Sequence, residues 1–287
     1  MISSSWLNKV KRVKYNRSMR NHKFDHDDSH IYDGFEASLG SYWTQVCTGG
    51  GSLHVVDSTV RMSFPSACQG RYTDAQIDDY TMLRRSAYPW KPPLRMTIRA
   101  RSSSPTNVLR GTAGFGFWNN PFSLQGDILA LPESIWFFYA SPPSNMALVP
   151  GISGWGWKAQ VVHTVSLRSL ASVLPMTVAT AFGRLTGNTL LASHWMQRMA
   201  GAHEALLSVD MTKWHTYILE WRSDQAFFWV DEKLVLQTSQ PPTRPLGFVA
   251  WLDNQYAIAT PDGIKRFGTV NSGPQWLEMD FVKIEQL

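Results

Sequence analysis

The chain is built from short runs in which apolar and polar residues alternate. In "LRMTIRARS" (94–102), Leu94, Met96, Ile98 and Ala100 fall on one side and Arg95, Thr97, Arg99 and Arg101 on the other. A period of two predicts a strand with one buried face. "GSLHVVDSTVRMSF" reads as two strand halves around a Val-Asp-Ser-Thr turn, and "WHTYILEW", "RSDQ" and "AFFWVDEKLVLQT" as a hairpin whose second arm turns again at Asp231-Glu232. "GTAGFGFWNNPF" is a glycine-broken aromatic strand running into a loop, and "ESIWFFYAS" (133–141) is a strand dense in rings. "LGFVAWLDNQYA" and "WLEMDFVKIEQL" complete the set. Many short strands at this spacing predict an all-β sandwich or barrel.

Two segments depart from the pattern. Residues 1 to about 30 are polar and irregular and form a basic extension, expected to be solvated. Residues 165–207 are rich in Ala, Leu and Met and read as a helical insertion, with Pro175 near a helix start, Gly187 near a stop, and Leu191, Trp195, Met199 and Ala202 at helical spacing. Its uncharged stretch, 169–183, suits a surface-lying amphipathic element.

Composition sharpens this picture in three places. Thirteen Trp in 287 residues is high for one domain. An indole carries a large apolar surface and one N–H that wants a partner, so either the Trp set builds the core or some of it lines a cleft and stacks on a ligand. The net charge of +5 belongs to the extension: residues 1–24 hold seven basic residues and no acid, while the remainder holds 20 basic and 22 acidic residues. A nucleic-acid partner would need a basic face on the folded domain, and none is expected. Contact with an anionic membrane surface through the basic tail and 165–207 is an alternative.

Cys47 and Cys68 are too few for a disulfide framework and are expected as buried free thiols. No apolar run of a signal peptide follows the basic N-terminus, and no segment reaches the ~18 apolar residues of a membrane span, so the expectation is a soluble, cytoplasmic protein. The tract "HKFDHDDSH" has metal-ligating side chains but no visible frame, and no metal or other cofactor is expected.

"WHTYILEWRSDQAFFWVDEKLV", "PLGFVAWLDNQYA", "QWLEMDFVKIEQL" and "AGFGFWNNP" together resemble the concanavalin A-like lectin/glucanase superfamily, and within it glycoside hydrolase family 16. The resemblance covers most of 31–287 in order and implies a jelly-roll sandwich of two antiparallel sheets, one with a concave, ligand-binding face. It also implies a Glu-x-Asp-x-x-Glu strand carrying the nucleophile and acid/base of a retaining glycosidase. That strand should follow "GFGFWNNP", where this chain has "ESIWFFYAS". Facing residues are Ser134, Trp136 and Phe138 in one register and Ile135, Phe137 and Tyr139 in the other; neither offers two carboxylates.

The first expectation is therefore a family 16-like protein without that catalytic motif, binding a carbohydrate or another small ring-bearing, apolar ligand through Trp118, Asn119, Asn120, Trp136, Phe138, Trp251, Asp253, Asn254 and Tyr256. The second is an enzyme, a glycoside hydrolase or other catalyst, with relocated acid/base groups. Its candidates are Glu133 and Asp253 facing each other across the cleft, Tyr139, and His215. The third is a protein that docks on a membrane or partner through the insertion.

Overall fold

The computed structural model describes residues 30–121, 132–149, 151–163, 201–260 and 263–287. Its strands, numbered β1 to β17 in chain order, form two large antiparallel sheets and a separate hairpin. The first sheet runs, in spatial order, β13 (Lys233–Thr238), β12 (Ala226–Val230), β11 (His215–Trp221), β6 (Leu94–Ser102), β17 (Gln275–Gln286), β4 (Thr59–Phe64) and β3 (Ser52–Val56), with β1 (His30–Asp33) also on β17. The second runs β10 (Ala202–Leu206), β9 (Gly156–Val162), β8 (Ser134–Ala140), β7 (Thr112–Trp118), β14 (Gly247–Asp253), β5 (Asp74–Asp78) and β2 (Thr44–Thr48). β15 (Gln255–Thr260) and β16 (Gly263–Thr269) pair only with each other. This is the all-β sandwich expected from the strand pattern, in the jelly-roll form that the resemblance implies.

Local chemistry explains the turns. Asp57 and Ser58 sit at φ 50° and 53° between β3 and β4, and Asp231 and Glu232 at φ 47° and 70° between β12 and β13. Two successive left-handed residues match the twist of a tight hairpin. The core lies between the sheets. Met96, Ile98, Leu219, Phe228, Val282 and Ile284 from the first sheet meet Phe115, Phe117, Phe137, Trp157, Phe248 and Leu252 from the second. Phe137 packs edge-on to Phe228 at 5.3 Å and to Tyr217 at 5.0 Å, bridging the layers.

Three expectations need amendment. Ala202–Leu206, placed in the helical insertion, is strand β10, paired antiparallel with β9 from Ala202↔Val162 to Leu206↔Lys158. Pairing at a sheet edge, anchored by Glu204, overrides the helical preference of Ala-His-Glu-Ala-Leu. The rest of the proposed insertion, 165–200, and the basic extension to residue 29 lie outside the described residues. Both cysteines are free, but Cys68 is exposed in the loop after β4 rather than buried. Cys47 is half-buried on β2, and burial together with the Asp74 carboxylate pushes its thiol up to about 11.

Candidate functional site

The two sheets present opposite chemistry on their outer faces. On the first, β6 alternates without a break: Leu94, Met96, Ile98 and Ala100 are buried, and the arginines between them point out. Arg101 Nε meets Glu278 Oε2 at 2.8 Å, Arg61 Nε meets Glu278 Oε1 at 2.6 Å, and Arg99 pairs with Asp280 at 2.7 Å. This is an ordinary solvated, charged surface. The second sheet is different, because β7, β8 and β14 are buried almost throughout. Its outer face is apolar in the middle and covered in part by loops.

Register defines that outer face row by row. Residues directly opposite in antiparallel strands share a face. The end row holds Gly156, Ala140, Thr112, Asp253, Asp74 and Thr48. The next runs from Lys158 through Phe138, Gly114, Trp251 and Gln76. The third runs from Glu204 through Gln160, Trp136, Gly116, Val249 and Asp78. The far end holds Ser134, Trp118 and Gly247.

Glycines make the floor. A Cβ at Gly114 would collide with the Trp251 ring, and one at Gly247 with the Tyr80 ring, so each ring lies flat where only glycine leaves room. Trp136 stacks on Phe138 at 5.5 Å and 17°, and sits 5.1 Å from Trp251 and 5.9 Å from Trp118. Tyr80, Tyr88, Leu83 and Met146 close around these rings from flanking loops. Phe138 and Trp251 are only 5% and 8% exposed, whereas Trp118 and Trp136 stay half-buried.

Each indole N–H of this platform is already engaged. Trp118 Nε1 donates to Tyr80 Oη at 2.5 Å, Trp136 Nε1 to Gln160 Oε1 at 2.6 Å, and Trp251 Nε1 to Thr112 Oγ1 at 2.9 Å. The rings are thereby fixed in orientation, and what Trp118 and Trp136 offer is a ring surface rather than a donor. Behind Trp136, Gln160 Nε2 donates to Glu204 Oε1 at 2.5 Å and Lys158 Nζ to Glu204 Oε2 at 2.9 Å. That ion pair is essentially inaccessible, with side chains 1% and 0% exposed.

The sequence-derived residues divide sharply. Trp118, Trp136, Phe138, Trp251 and Asp253 share the outer face. Asn119 and Asn120 follow β7 at its far end. Asn119 pairs through backbone and amide with Glu133, and the Asn120 carbonyl accepts from Arg85 Nε at 3.3 Å. Tyr139 faces the opposite way, into the inter-sheet core, and its hydroxyl donates to the Leu109 carbonyl at 2.8 Å. Alternation forbids it and Trp136 from sharing a face, so Tyr139 is no cleft acid.

His215 is on β11, in the other sheet, held between Asp231 Oδ2 at 2.5 Å and the Asp210 carbonyl at 3.0 Å. It fastens a hairpin. Asn254 is fully buried, and its amide is spent on backbone groups of neighbouring loops. Tyr256 lies in the β15–β16 hairpin, lining a cavity beyond the strand ends.

Glu133 and Asp253 do not face each other. Glu133 adjoins Ser134 at the far end, while Asp253 is level with Ala140. Six residues at about 3.3 Å each separate those rows by about 20 Å, far beyond the about 5–5.5 Å of a retaining pair. Glu133 is buried, which raises its carboxyl, with Arg244 opposing the rise. Its closest ionisable neighbour among the described residues is His163, at 4.0 Å.

A different acid pair is present. Asp74 and Asp253 are direct cross-strand partners on the outer face, 3% and 5% exposed. Asp253 Oδ1 accepts from Thr112 Oγ1 at 2.7 Å, Thr112 N at 3.2 Å and Gln255 N at 2.9 Å, while Asp74 Oδ1 has no partner among the described residues. Burial pushes Asp253 up to about 6 despite these hydrogen bonds. Burial and the adjacent Asp253 and Asp78 charges hold Asp74 well above the carboxylate range.

Both groups bind protons more tightly folded than unfolded, so this contribution to stability is full below about pH 4, and the Asp253 share is lost as pH rises through about 6. A rise of about two units in Asp253 alone corresponds to roughly 3 kcal/mol. Urea midpoints measured from pH 4 to 7 are expected to fall by that order in the wild type and to flatten in Asp74→Asn. Parallel profiles for the two proteins would mean that the carboxyls do not interact.

Tyr80, Tyr88, Gln160, Lys158, Glu204 and Asp74 are part of this surface and were not among the sequence candidates. One signal was available: in "TDAQIDD", Asp74, Gln76 and Asp78 alternate with buried Ala75 and Ile77.

The fold defines the class. This is a concanavalin A-like β-sandwich, and the solved structures similar to it include glycanases. One is an endo-acting O-glycanase of the human gut microbiota, described with enzymes that initiate mucin breakdown: 14% identity, 90% of this chain and 98% of that one, TM-score 0.50. Another is the GlcNAcα1-4Gal-releasing endo-β-galactosidase of Clostridium perfringens, at 11% identity over 88% of this chain and 61% of that one, TM-score 0.50. A Bacillus licheniformis β-glucanase aligns with 90% of the chain and 98% of its own, at 10% identity and TM-score 0.47. No protein-family model matches the chain, and no curated protein does.

Proposed function

We propose that the protein binds a saccharide on the outer face of the seven-stranded sheet and does not cleave it by the family 16 mechanism. The observation that carries this reading is the contiguous platform of Trp118, Trp136, Phe138 and Trp251, with indole N–H groups already satisfied. A sugar ring has one C–H face that gains dispersion and apolar burial on such a surface. Its hydroxyls need polar partners at the margin, and Gln76, half-buried beside Trp251 in the second row, is placed to supply one. On β8 the outward positions are Ser134, Trp136 and Phe138, none of them an acid or a nucleophile carboxylate.

Calorimetric titration with neutral oligosaccharides tests the reading. Trp136→Ala is expected to weaken binding at least tenfold, about 1.4 kcal/mol, with the fold intact by circular dichroism. Binding that is absent in the wild type, or equal in the two proteins, would refute it.

Asp74 and Asp253 favour a second reading, a hydrolase with relocated acids. Directly opposed cross-strand residues have Cβ atoms about 5 Å apart, so the two carboxyls are neighbours, and burial with the Asp253 charge raises the Asp74 carboxyl. This reading requires release of reducing ends by the wild type and its loss in Asp74→Asn. The first reading requires no release from either.

A further inference from the structure

A cavity of about 320 Å³ opens beyond the end row of the platform. Its wall includes Gln69, Arg110, Tyr256, Arg266, Thr269 and Asn271. Arg110 lies two residues before Thr112, and Tyr256 three residues after Asp253, so the cavity continues the platform at its Thr112–Asp253–Asp74 end. From Arg110 to Gly116, opposite the half-buried Trp136, the chain covers about 20 Å at strand rise, a span that an oligosaccharide bridges.

The wall is chemically one-sided. Among the described residues, no lining residue is acidic. Arg110 and Arg266 form no ion pair among the described residues. Two acceptor atoms nearby are already used: Asn271 Oδ1 accepts from Gln69 N at 2.7 Å, and Thr269 Oγ1 accepts from Gly70 N at 2.7 Å. An amide whose oxygen is engaged keeps its NH₂ to donate, and a hydroxyl that accepts keeps its own hydrogen. Two guanidinium groups, an amide NH₂ and a hydroxyl hydrogen are thus donors in search of an acceptor-only ligand. The Arg110 backbone is held on both sides by the Gln275 amide, which accepts from its N–H at 3.1 Å and donates to its carbonyl at 2.7 Å.

We propose that this cavity holds the anionic substituent, carboxylate or sulfate, of an acidic saccharide whose rings lie on the aromatic platform. The inference rests on the saccharide reading above and names its ligand class. Guanidinium groups recognise such planar or multi-oxygen anions through charge-assisted, paired hydrogen bonds.

The test is calorimetric titration of the full chain with three oligosaccharides of equal length: neutral, uronate-bearing and sulfated. Wild type is expected to bind one of the charged forms at least tenfold more tightly than the neutral form, and the preferred one identifies the substituent. Arg110→Gln and Arg266→Gln are each expected to remove that preference while leaving neutral binding unchanged. Arg266 is exposed on β16, so its replacement does not threaten the fold. Raised salt should erase the preference and spare neutral binding. Equal affinity for neutral and charged forms, or a preference that survives both substitutions, would overturn the inference and leave the saccharide reading standing. Binding of none of the three would overturn both.

Discussion

Glu204→Ala is expected to lower the stability of the protein by about 3–5 kcal/mol, the cost of leaving a buried charge without its partner. Lys158 and Glu204 lie 2.9 Å apart on adjacent strands at the edge of the second sheet, and both side chains are shut off from solvent. Lys158 has one other acceptor, the Met146 carbonyl at 3.4 Å, which cannot replace a carboxylate. Burial raises the Glu204 carboxyl, while Lys158 and Gln160 act to keep it ionised.

A double substitution, Glu204→Leu with Lys158→Met, should recover part of the loss, because it removes both charges and keeps the volume but leaves the buried Gln160 amide without its acceptor. Urea unfolding is the measurement. A lower midpoint at unchanged slope is expected for the single variant, and an intermediate midpoint for the pair. A single variant within about 1 kcal/mol of wild type would show that water reaches this pair. The same substitution reaches the platform, since Glu204 holds Gln160 and Gln160 holds Trp136. Saccharide affinity should therefore fall in Glu204→Ala without any direct contact being lost.

The parts of the fold that were legible in the sequence are those with one wet face. Arg95, Thr97, Arg99 and Arg101 mark the solvent side of β6 unambiguously, and the two hairpins carry their turns in Asp57-Ser58 and Asp231-Glu232. In β8, both faces are buried, so "SIWFFYA" shows no alternation and leaves Trp136 and Tyr139 equally eligible for the cleft. Only register against β7 separates them: Trp136 is opposite Gly116 on the outer face, and Tyr139 is opposite Ala113 in the core.

Lys158 and Gln160 were passed over for a related reason. Polar residues in "GWKAQVV" suggest solvent, but here they are buried by pairing with Glu204. That partner sits more than forty residues away, in a segment whose composition favours helix. For His215, side-chain chemistry alone leaves a base and a structural residue both open. Its position on β11 places it in the sheet opposite the platform.

Asn254 shows how adjacent polar residues take unrelated roles, and its removal should rival the loss of Glu204. Asp253 ends β14 on the outer face, while Asn254 turns inward and is 0% exposed. Its amide oxygen accepts from Thr73 N at 2.9 Å, and its NH₂ donates to the Arg71 and Val270 carbonyls, each at 3.0 Å. Every hydrogen and the oxygen of the amide are thus matched to backbone groups from two separate loops.

Asn254→Ala strands those three groups at about 1–3 kcal/mol each, so a loss of about 3–5 kcal/mol is expected after relaxation. Asn254→Asp is the sharper test, because it keeps size and shape. An ionised carboxylate can still accept from Thr73 N but would face two carbonyl oxygens. Its pKa should rise in the folded state, so the variant should be most stable below about pH 4 and weaken as pH climbs. The same loops supply Val270, Asn271 and Gln69 to the arginine-lined cavity, so both variants should also blunt discrimination of acidic from neutral saccharides before they affect the platform. An Asn254→Asp protein with an unchanged urea midpoint at neutral pH would show that water, rather than the amide, satisfies these loops.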